Sequence, residues 1–216
     1  MNCLVTAGPT FEPLDQVRRL TNFSTGRLGV ELANFLTDRG HAVTLFCSES
    51  ATYPGARRAR QVVTFSTTRD LERQLAAVSG ENPGGVFHAA AVSDFAFGRI
   101  WARTPAGELT ELRSGKISTR QGALLAELVP TPKLLPHLRA WFPTAKLVGW
   151  KFEVEGDRAR VLRVAEAQCR ESRTDACVVN GPGFGAGFGL ISQAGDWVEL
   201  ATREALFAAL AQGLDS

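Results

Sequence analysis

The feature that most restricts this chain is a pairing repeated along its first half: a short apolar or β-branched run, then a segment with helical spacing. Leu4 to Ala7 reads as a strand. Gly26 to Arg39 carries Leu28, Leu32, Phe35 and Leu36 at helical spacing, with Gly40 placed as a C-cap. Strands then follow at Ala42 to Cys47 and Val62 to Phe65, a helix from about Thr68 with Leu71, Leu75 and Val78, and a strand from Gly85 to Val92. That alternation builds βαβ units and a parallel sheet. From about 95 to 131 the period is lost, and Gly, Ser, Arg and Pro break up short extended pieces such as Leu124 to Val129. A stretch of that length is not an ordinary connection, so a functional flap or small subdomain is expected. Beyond it the pattern predicts a helix over Pro132 to Trp141, a strand over Lys146 to Phe152, a helix over Arg158 to Glu171 and a strand over Ala176 to Asn180. Gly189 to Ser192 and Trp197 to Leu200 flank Ala194-Gly195-Asp196 as a hairpin would, and a last helix spans Arg203 to Leu210 with Thr202 as N-cap. The expected architecture is α/β: a doubly wound, mostly parallel sheet with an irregular flap insertion and a late β-hairpin.

Composition narrows the function classes. Lys and Arg number 24 against 22 Asp and Glu, a formal charge of +2, too small a bias to indicate nucleic acid or an anionic membrane as partner. Of those cations only Lys116, Lys133, Lys146 and Lys151 are lysines, so a lysine in a polar loop stands out. Cys3, Cys47, Cys169 and Cys177 show no CxxC spacing, which argues against a zinc site or disulfide framework. Met1 to Gly8 enters a strand-like run with no basic segment or long apolar stretch before it, and the cytoplasm is the expected location.

In a doubly wound sheet, ligands gather at the carboxyl ends of the strands. After the first strand comes Ala7-Gly8-Pro9-Thr10, and after a further loop Asn22-Phe23-Ser24-Thr25-Gly26-Arg27-Leu28-Gly29 opens the first helix. Two glycine-bearing turns thus meet one helix N-terminus, where free N–H groups and the helix dipole favour phosphate. Alternatively, Ser24 or Thr25 caps the helix and the glycines permit tight packing. His88-Ala89-Ala90-Ala91-Val92-Ser93-Asp94 ends the fourth strand with small side chains that leave backbone open to a ligand. Asp94 there suits either a hydroxyl, amide or metal, or the capping of a turn, while His88 reads as a core residue. Lys116, in Arg113-Ser114-Gly115-Lys116-Ile117-Ser118-Thr119, suits either a loop cation closing over an anionic intermediate or a solvated side chain. Trp150 offers a platform for a base or a core contact, and Asn180 begins a glycine-rich loop to Gly189 that could hug a nucleotide or turn tightly. No HExxH, GxSxG or compact GxGxxG is present, and nothing points to a covalent nucleophile.

Taken in order, Val5-Thr6-Ala7-Gly8-Pro9-Thr10, Glu12-Pro13-Leu14-Asp15, Val17-Arg18, Asn22 to Gly29, Ala89 to Asp94, Gly115-Lys116-Ile117, Val129 to Leu135, Trp150-Lys151-Phe152-Glu153 and Val178-Val179-Asn180 resemble the phosphopantothenoylcysteine synthetase family of coenzyme A biosynthesis. The resemblance covers nearly the whole chain and implies a single Rossmann-like, nucleotide-binding ligase domain over 1–216, with its flap insertion at about 95–131. It implies a ligase that activates the carboxylate of 4'-phosphopantothenate as an acyl-nucleotide, releases pyrophosphate, and lets the amine of L-cysteine displace the nucleoside monophosphate. The co-substrate is then a nucleoside triphosphate, ATP or CTP, with Mg²⁺, and the assembly a homodimer, for which the late hairpin with Trp197 is a candidate interface.

Residue by residue, the resemblance places Gly8, Ser24, Thr25, Gly26 and Gly29 on the triphosphate and Trp150 and Asn180 on the nucleoside. It places Arg18, of this or of a partner subunit, on the phosphate of phosphopantothenate, and Asn22, Ala90, Ala91 and Asp94 on the pantothenoyl part and mixed anhydride. Lys116 becomes the flap lysine, catalytic together with Asn22. Many bacterial members carry Lys-Ile-Lys-Lys where this chain has Lys116-Ile117-Ser118-Thr119, and lysines where it has Gln168 and Ser172, features associated with CTP. Their absence leans toward ATP, although Arg170 and Arg173 could replace the lost charges. The usual bacterial enzyme is fused to a flavin-dependent decarboxylase; a stand-alone synthetase without flavin is the expectation. The alternatives are a nicotinamide-dependent reductase, which lacks its glycine motif here, and a non-catalytic nucleotide-binding homologue.

Overall fold

The computed structural model describes every residue except 114, 119, 121 and 216. Its central sheet has eight strands in the order β13-β12-β11-β10-β6-β1-β4-β5. These are β1 (Asn2–Ala7), β4 (Ala42–Ser48), β5 (Gln61–Phe65), β6 (Gly85–His88), β10 (Lys146–Phe152), β11 (Ala176–Asn180), β12 (Phe188–Ser192) and β13 (Trp197–Leu200). All neighbours from β5 to β11 pair in parallel; β12 and β13 form an antiparallel hairpin on the edge. Chain order reverses between β1 and β6, which makes their carboxyl ends the switch point where such sheets bind ligands.

Both faces of the sheet are covered, so its inner strands read as nearly continuous apolar runs. One face packs Cys3, Val5 and Ala7 of β1 with Leu32 and Leu36 of α1 (Arg27–Asp38) and with Leu206 and Leu210 of α5 (Arg203–Asp215). The other packs Leu4, Phe46 and Val86 with Leu71 and Leu75 of α2 (Thr68–Ala77) and Leu138 of α3 (Leu135–Trp141). α4 (Arg158–Ser172) sets Val161, Ala165 and Cys169 against Cys177 and Val179. Thr6 departs from this pattern as a hydroxyl in the centre of an apolar strand, fully buried.

Helix ends follow local chemistry. α1 stops at a Schellman arrangement, with His41 N–H donating to Leu36 O at 3.1 Å and Gly40 N–H to Thr37 O at 2.9 Å. Gly40 carries the positive φ of 85° that this turn requires. Thr67, Asp157 and Thr202 each accept a first-turn N–H from Asp70, Arg160 and Ala205.

Three elements differ from the sequence expectation. The fourth strand ends at His88 rather than Val92, because Ala90 N–H leaves the ladder and donates to the Thr6 hydroxyl at 3.0 Å. The insertion is an ordered antiparallel sheet, β8-β7-β9, of β7 (Phe95–Arg103), β8 (Leu109–Leu112) and β9 (Leu124–Pro130). Its strands hide from sequence reading because β9 is exposed at four consecutive positions and β7 is bulged between Phe97 and Ile100, so neither keeps a period of two. A short hairpin, β2 (Phe11–Pro13) with β3 (Arg19–Thr21), occupies what reads as loop. Ser114 and Thr119 of the flap motif lie outside the described residues. None of the described helices is long and apolar enough to cross a membrane.

Candidate functional site

The candidate phosphate cradle lies where two turns remote in sequence touch. Gly8 follows β1 with φ +87°, and a Cβ there would lie 2.9 Å from Ser48 Cβ and 3.0 Å from Ala51 Cβ. Gly26 caps α1 with φ +81°, and a Cβ there would lie 3.2 Å from the backbone N and Cα of Gly8. Gly29 is pressed on β1, its added Cβ 2.7 Å from Ala7 Cβ and 2.8 Å from Thr6 O. Ser24 and Thr25 accept only long contacts from Gly26 N and Arg27 N, 3.4 and 3.3 Å, and α1 has no side-chain cap. The first turn of α1 is therefore presented to the switch point much as a phosphate would need it.

Across the switch, Ala91 N–H donates to Gly8 O at 3.0 Å, and Ala91 O accepts Thr10 N–H at 3.1 Å and the Asn22 amide at 3.1 Å. Asn22, Gly8 and Ala91 thus meet although Asn22 and Ala91 are 69 positions apart. Ala90 is held beside them by Thr6, whose hydroxyl also bonds His88 Nδ1 at 3.0 Å. Burial pushes the His88 pKa down to about 4, so the ring is neutral at physiological pH and serves the core, as its apolar neighbours suggest. Asp94 sits at the mouth of this region in an ion pair with Lys133, and its carbonyl accepts Thr131 N–H at 3.0 Å.

The flap segment meets the tip of the β2–β3 hairpin. Arg18 donates to Asp15 Oδ2 through Nε and Nη2, 3.2 and 2.5 Å, and to Ile117 O at 2.8 Å. Gln16 N–H donates to Gly115 O at 2.9 Å, and Ile117 is buried. Lys116 is therefore carried by a segment bonded on both sides to the hairpin.

Trp150 lies one strand from the switch, half-buried against the α1–α5 core, and its carbonyl accepts the Gln168 amide at 3.2 Å. Its indole Nε1 is buried without a partner among the described residues. Asn180, at the end of β11, lines a cavity of about 450 Å³ with Gly181, Gly187, Phe188 and Thr202, bounded by the start of α5. The glycine-rich loop both packs closely on its own chain and borders the cavity. Gly181 and Gly183 press on the backbone of Glu153 and Glu155, where added Cβ atoms would lie 2.5 and 2.7 Å from carbonyl oxygens, while Gly185 and Gly187 line the cavity.

Sequence reasoning missed Thr6, Asp15 and Lys133 as site residues. A hydroxyl inside an apolar strand, the acidic end of Glu12-Pro13-Leu14-Asp15, and one of only four lysines were the available signals.

The parallel sheet with its switch point beside the start of α1 defines a Rossmann-like α/β domain. Residues 1–205 match the family described as DNA/pantothenate metabolism flavoprotein C-terminal domain, and the chain belongs to that family. The Coenzyme A biosynthesis bifunctional protein CoaBC of Thermococcus kodakarensis is 32% identical over 181 residues, covering 82% of this chain and 40% of that protein. The chain spans less than half the length of the curated relatives it matches. Among solved structures, the DNA/pantothenate metabolism flavoprotein from Streptococcus pneumoniae is similar with a TM-score of 0.86 at 23% identity, covering 100% of this chain and 98% of its own. A Cab2 mutant in complex with phosphopantothenate-cysteine gives a TM-score of 0.74 at 19% identity, covering 99% and 86%. These two likenesses establish the fold.

Proposed function

We propose that this domain is a phosphopantothenate–cysteine ligase acting in coenzyme A biosynthesis. The observation that carries the reading is the meeting of Gly8, Gly26 and the start of α1 with Ala91 and Asn22: a glycine-lined helix N-terminus directly beside a strand end of small side chains. Support also comes from the family and from the Cab2 complex, which holds phosphopantothenate-cysteine on the same fold.

In this reading the triphosphate lies along Gly8, Ser24, Thr25, Gly26 and Gly29, where backbone N–H groups donate to its oxygens without reorganising. The carboxylate of 4'-phosphopantothenate, set between Asn22, Ala90, Ala91 and Asp94, attacks the α-phosphorus. The bond from that phosphorus to the β-phosphate oxygen breaks and pyrophosphate leaves. The Asn22 amide is placed to stabilise charge on the acyl phosphate. The cysteine amine then attacks the acyl carbon, the nucleoside monophosphate departs with the C–O bonding pair, and the amine proton passes to solvent. Lys116 neutralises the anionic intermediate and helps exclude water, which would otherwise hydrolyse it. Arg18 meets the substrate phosphate, and Trp150 and Asn180 border the nucleoside.

Among the described residues no cluster of three or more His, Cys, Asp and Glu side chains could hold a metal ion. Mg²⁺ would then be brought in with the triphosphate and supply charge neutralisation there. ATP is the proposed nucleotide. Gln168, at one position where CTP-associated members carry lysine, spends its amide on Trp150 O and Cys177 Sγ; Ser172, at the other, is buried; and Arg170 pairs with Glu166 at 3.5 Å. The domain is proposed to act in the cytoplasm as a homodimer. Supporting this, the β8-β7-β9 sheet exposes Phe95, Leu109, Leu125 and Leu128, and the late hairpin exposes Val198 and Trp197, the latter also edge-on to Phe184 of its own chain at 6.3 Å.

The test is pyrophosphate release with 4'-phosphopantothenate, L-cysteine and Mg²⁺, with ATP, CTP, GTP and UTP in parallel and each substrate omitted in turn. Release that depends on phosphopantothenate, with amide product only when cysteine is present, is expected with ATP fastest. No release with any nucleotide from folded protein would refute the reading.

A further inference from the structure

Asp15 has a use for its carboxylate that the proposed chemistry leaves unexplained. It stands on a hairpin tip between exposed Gln16 and Val17 and exposed Pro13, yet its own side chain is only 1% exposed. The two oxygens do different things. Oδ1 accepts Val17 N–H at 2.9 Å and Arg18 N–H at 2.8 Å, the local bonds of an Asx turn. Oδ2 accepts the Arg18 guanidinium and, from 102 positions away, Ile117 N–H at 3.1 Å. The turn needs only the first oxygen. The second joins the hairpin to the flap, and with Gln16 N–H on Gly115 O and Arg18 on Ile117 O it completes three bonds to the two residues that flank Lys116.

We propose that Asp15 is a positioning residue for the ligation reaction: its Oδ2 clasps residues 115–117 to the β2–β3 hairpin and so sets where Lys116 stands over the acyl intermediate. The inference rests on the reading of Lys116 as the intermediate-covering lysine given above. Charge supports the geometry. The Arg18 guanidinium first, then the Val17 and Ile117 N–H groups, hold the Asp15 carboxyl well below the usual carboxylate range, so the clasp carries its full negative charge at any working pH. The ion pair also fixes Arg18, which keeps two-fifths of its side-chain surface exposed. One carboxylate therefore orients two cations of the site, one through its side chain and the other through its backbone.

Asp15→Asn isolates the second oxygen. The amide oxygen keeps the turn, while the amide nitrogen can neither accept from Ile117 nor pair with Arg18. Full-length wild type, Asp15→Asn, Lys116→Ala and the double variant are compared with saturating ATP, phosphopantothenate and cysteine, measuring both pyrophosphate and amide product. Expected for Asp15→Asn is at least a tenfold loss of kcat, with more than one pyrophosphate released per product as water captures the acyl-nucleotide. Added to Lys116→Ala, the same substitution is expected to change kcat less than twofold, because residues that act through one another are not additive. A further tenfold loss in the double variant would show a merely structural effect and overturn the inference, as would wild-type kcat in Asp15→Asn. Tryptic cleavage after Lys116 without substrates gives a readout independent of activity. At least tenfold faster cleavage is expected in Asp15→Asn, and an equal rate would refute the clasp even if the wild type proves to be no ligase. Should Asp15→Asn fail to fold, Asp15→Glu keeps the charge but displaces it by one methylene, and the same cleavage and non-additivity criteria apply.

Discussion

Thr6 is the residue whose replacement tests most directly how the fold builds the site. Its hydroxyl, fully buried, serves His88 Nδ1 and Ala90 N–H, both at 3.0 Å. Thr6→Val keeps the shape and the strand propensity but leaves both groups without a partner. An unsatisfied buried group costs about 1–3 kcal/mol. Ala90 is half-exposed and can recruit water, so the two losses together come to about 3 kcal/mol, of which the extra buried methyl returns about 1 kcal/mol. The net loss of about 2 kcal/mol corresponds to a fall in Tm of about 4–8 °C for a domain of this size. Ala90 and Ala91 also lose their anchor to β1. The KM for 4'-phosphopantothenate should therefore rise about tenfold, some 1.4 kcal/mol, while the KM for nucleotide, bound mainly on Gly8 and α1, changes less than twofold. Thermal unfolding and steady-state kinetics on the same preparation decide it. A Tm within 1 °C of wild type would show that water already satisfies these groups. An equal rise in both KM values would show that Thr6 supports the whole cleft rather than the alanine edge.

Further outcomes follow from the same geometry. Gly26→Ala forces an L-residue to φ +81° at about 1–2 kcal/mol and puts a methyl 3.2 Å from Gly8, so the Tm rise that saturating Mg-ATP gives the wild type should disappear; a retained rise would remove Gly26 from the cradle. Asn22→Ala and Lys116→Ala should each lower turnover at least a hundredfold with Tm changed by less than about 2 °C, since both side chains are exposed, and near wild-type turnover would take that residue out of the chemistry. Stability should fall on mild acidification, because below pH 6.5 unfolded His88 takes a proton that the folded ring, with a pKa of about 4, refuses. From pH 7 to 4.5 this amounts to about 2–3 kcal/mol, read by denaturant titration, and a flat profile over that interval would refute the buried neutral ring. Asp15 acts lower: its depressed carboxyl contributes in full above the ordinary Asp range, and that contribution is lost only as pH falls through it toward the folded value.

The parallel core was readable because burial on both faces leaves a strong signal: Lys146 to Phe152 and Ala176 to Asn180 match observed strands at both ends. The glycines of the cradle were readable as residue types at strand ends, but not their contact. Gly8 touches Gly26 only because the start of α1 folds back over the end of β1, and no local pattern encodes that approach. The insertion was legible as a departure and not as a sheet. β9 has no buried face of its own, so its leucines at 125 and 128 do not alternate with polar residues around a hidden side. The hairpin β2–β3 was lost for a different reason: strands of three residues, Phe11–Pro13 and Arg19–Thr21, are too short to show a period at all. Asp15 and Arg18 stood inside quoted segments, yet their joint attachment to Ile117 bridges about a hundred positions and becomes visible only once the two loops are in space.

That pattern of success and failure has one physical origin. Each segment of the cleft is held by backbone or short polar groups reaching across sequence: Ala91 to Gly8, Asn22 to Ala91, Ala90 to Thr6, Ile117 to Asp15. Such bonds are directional and cost about 1–3 kcal/mol when left unmade in a buried setting, so they fix position without needing bulky side chains. Alanine and glycine can then line the cleft and leave room for a substrate, at the expense of any local signature. The proposed chemistry, in which a carboxylate is placed beside a phosphate, depends on placement above all. For such a site the long-range bonds, and not the residues that face the ligand, carry most of the information, which is why Thr6 and Asp15 are expected to matter as much to turnover as the groups they hold.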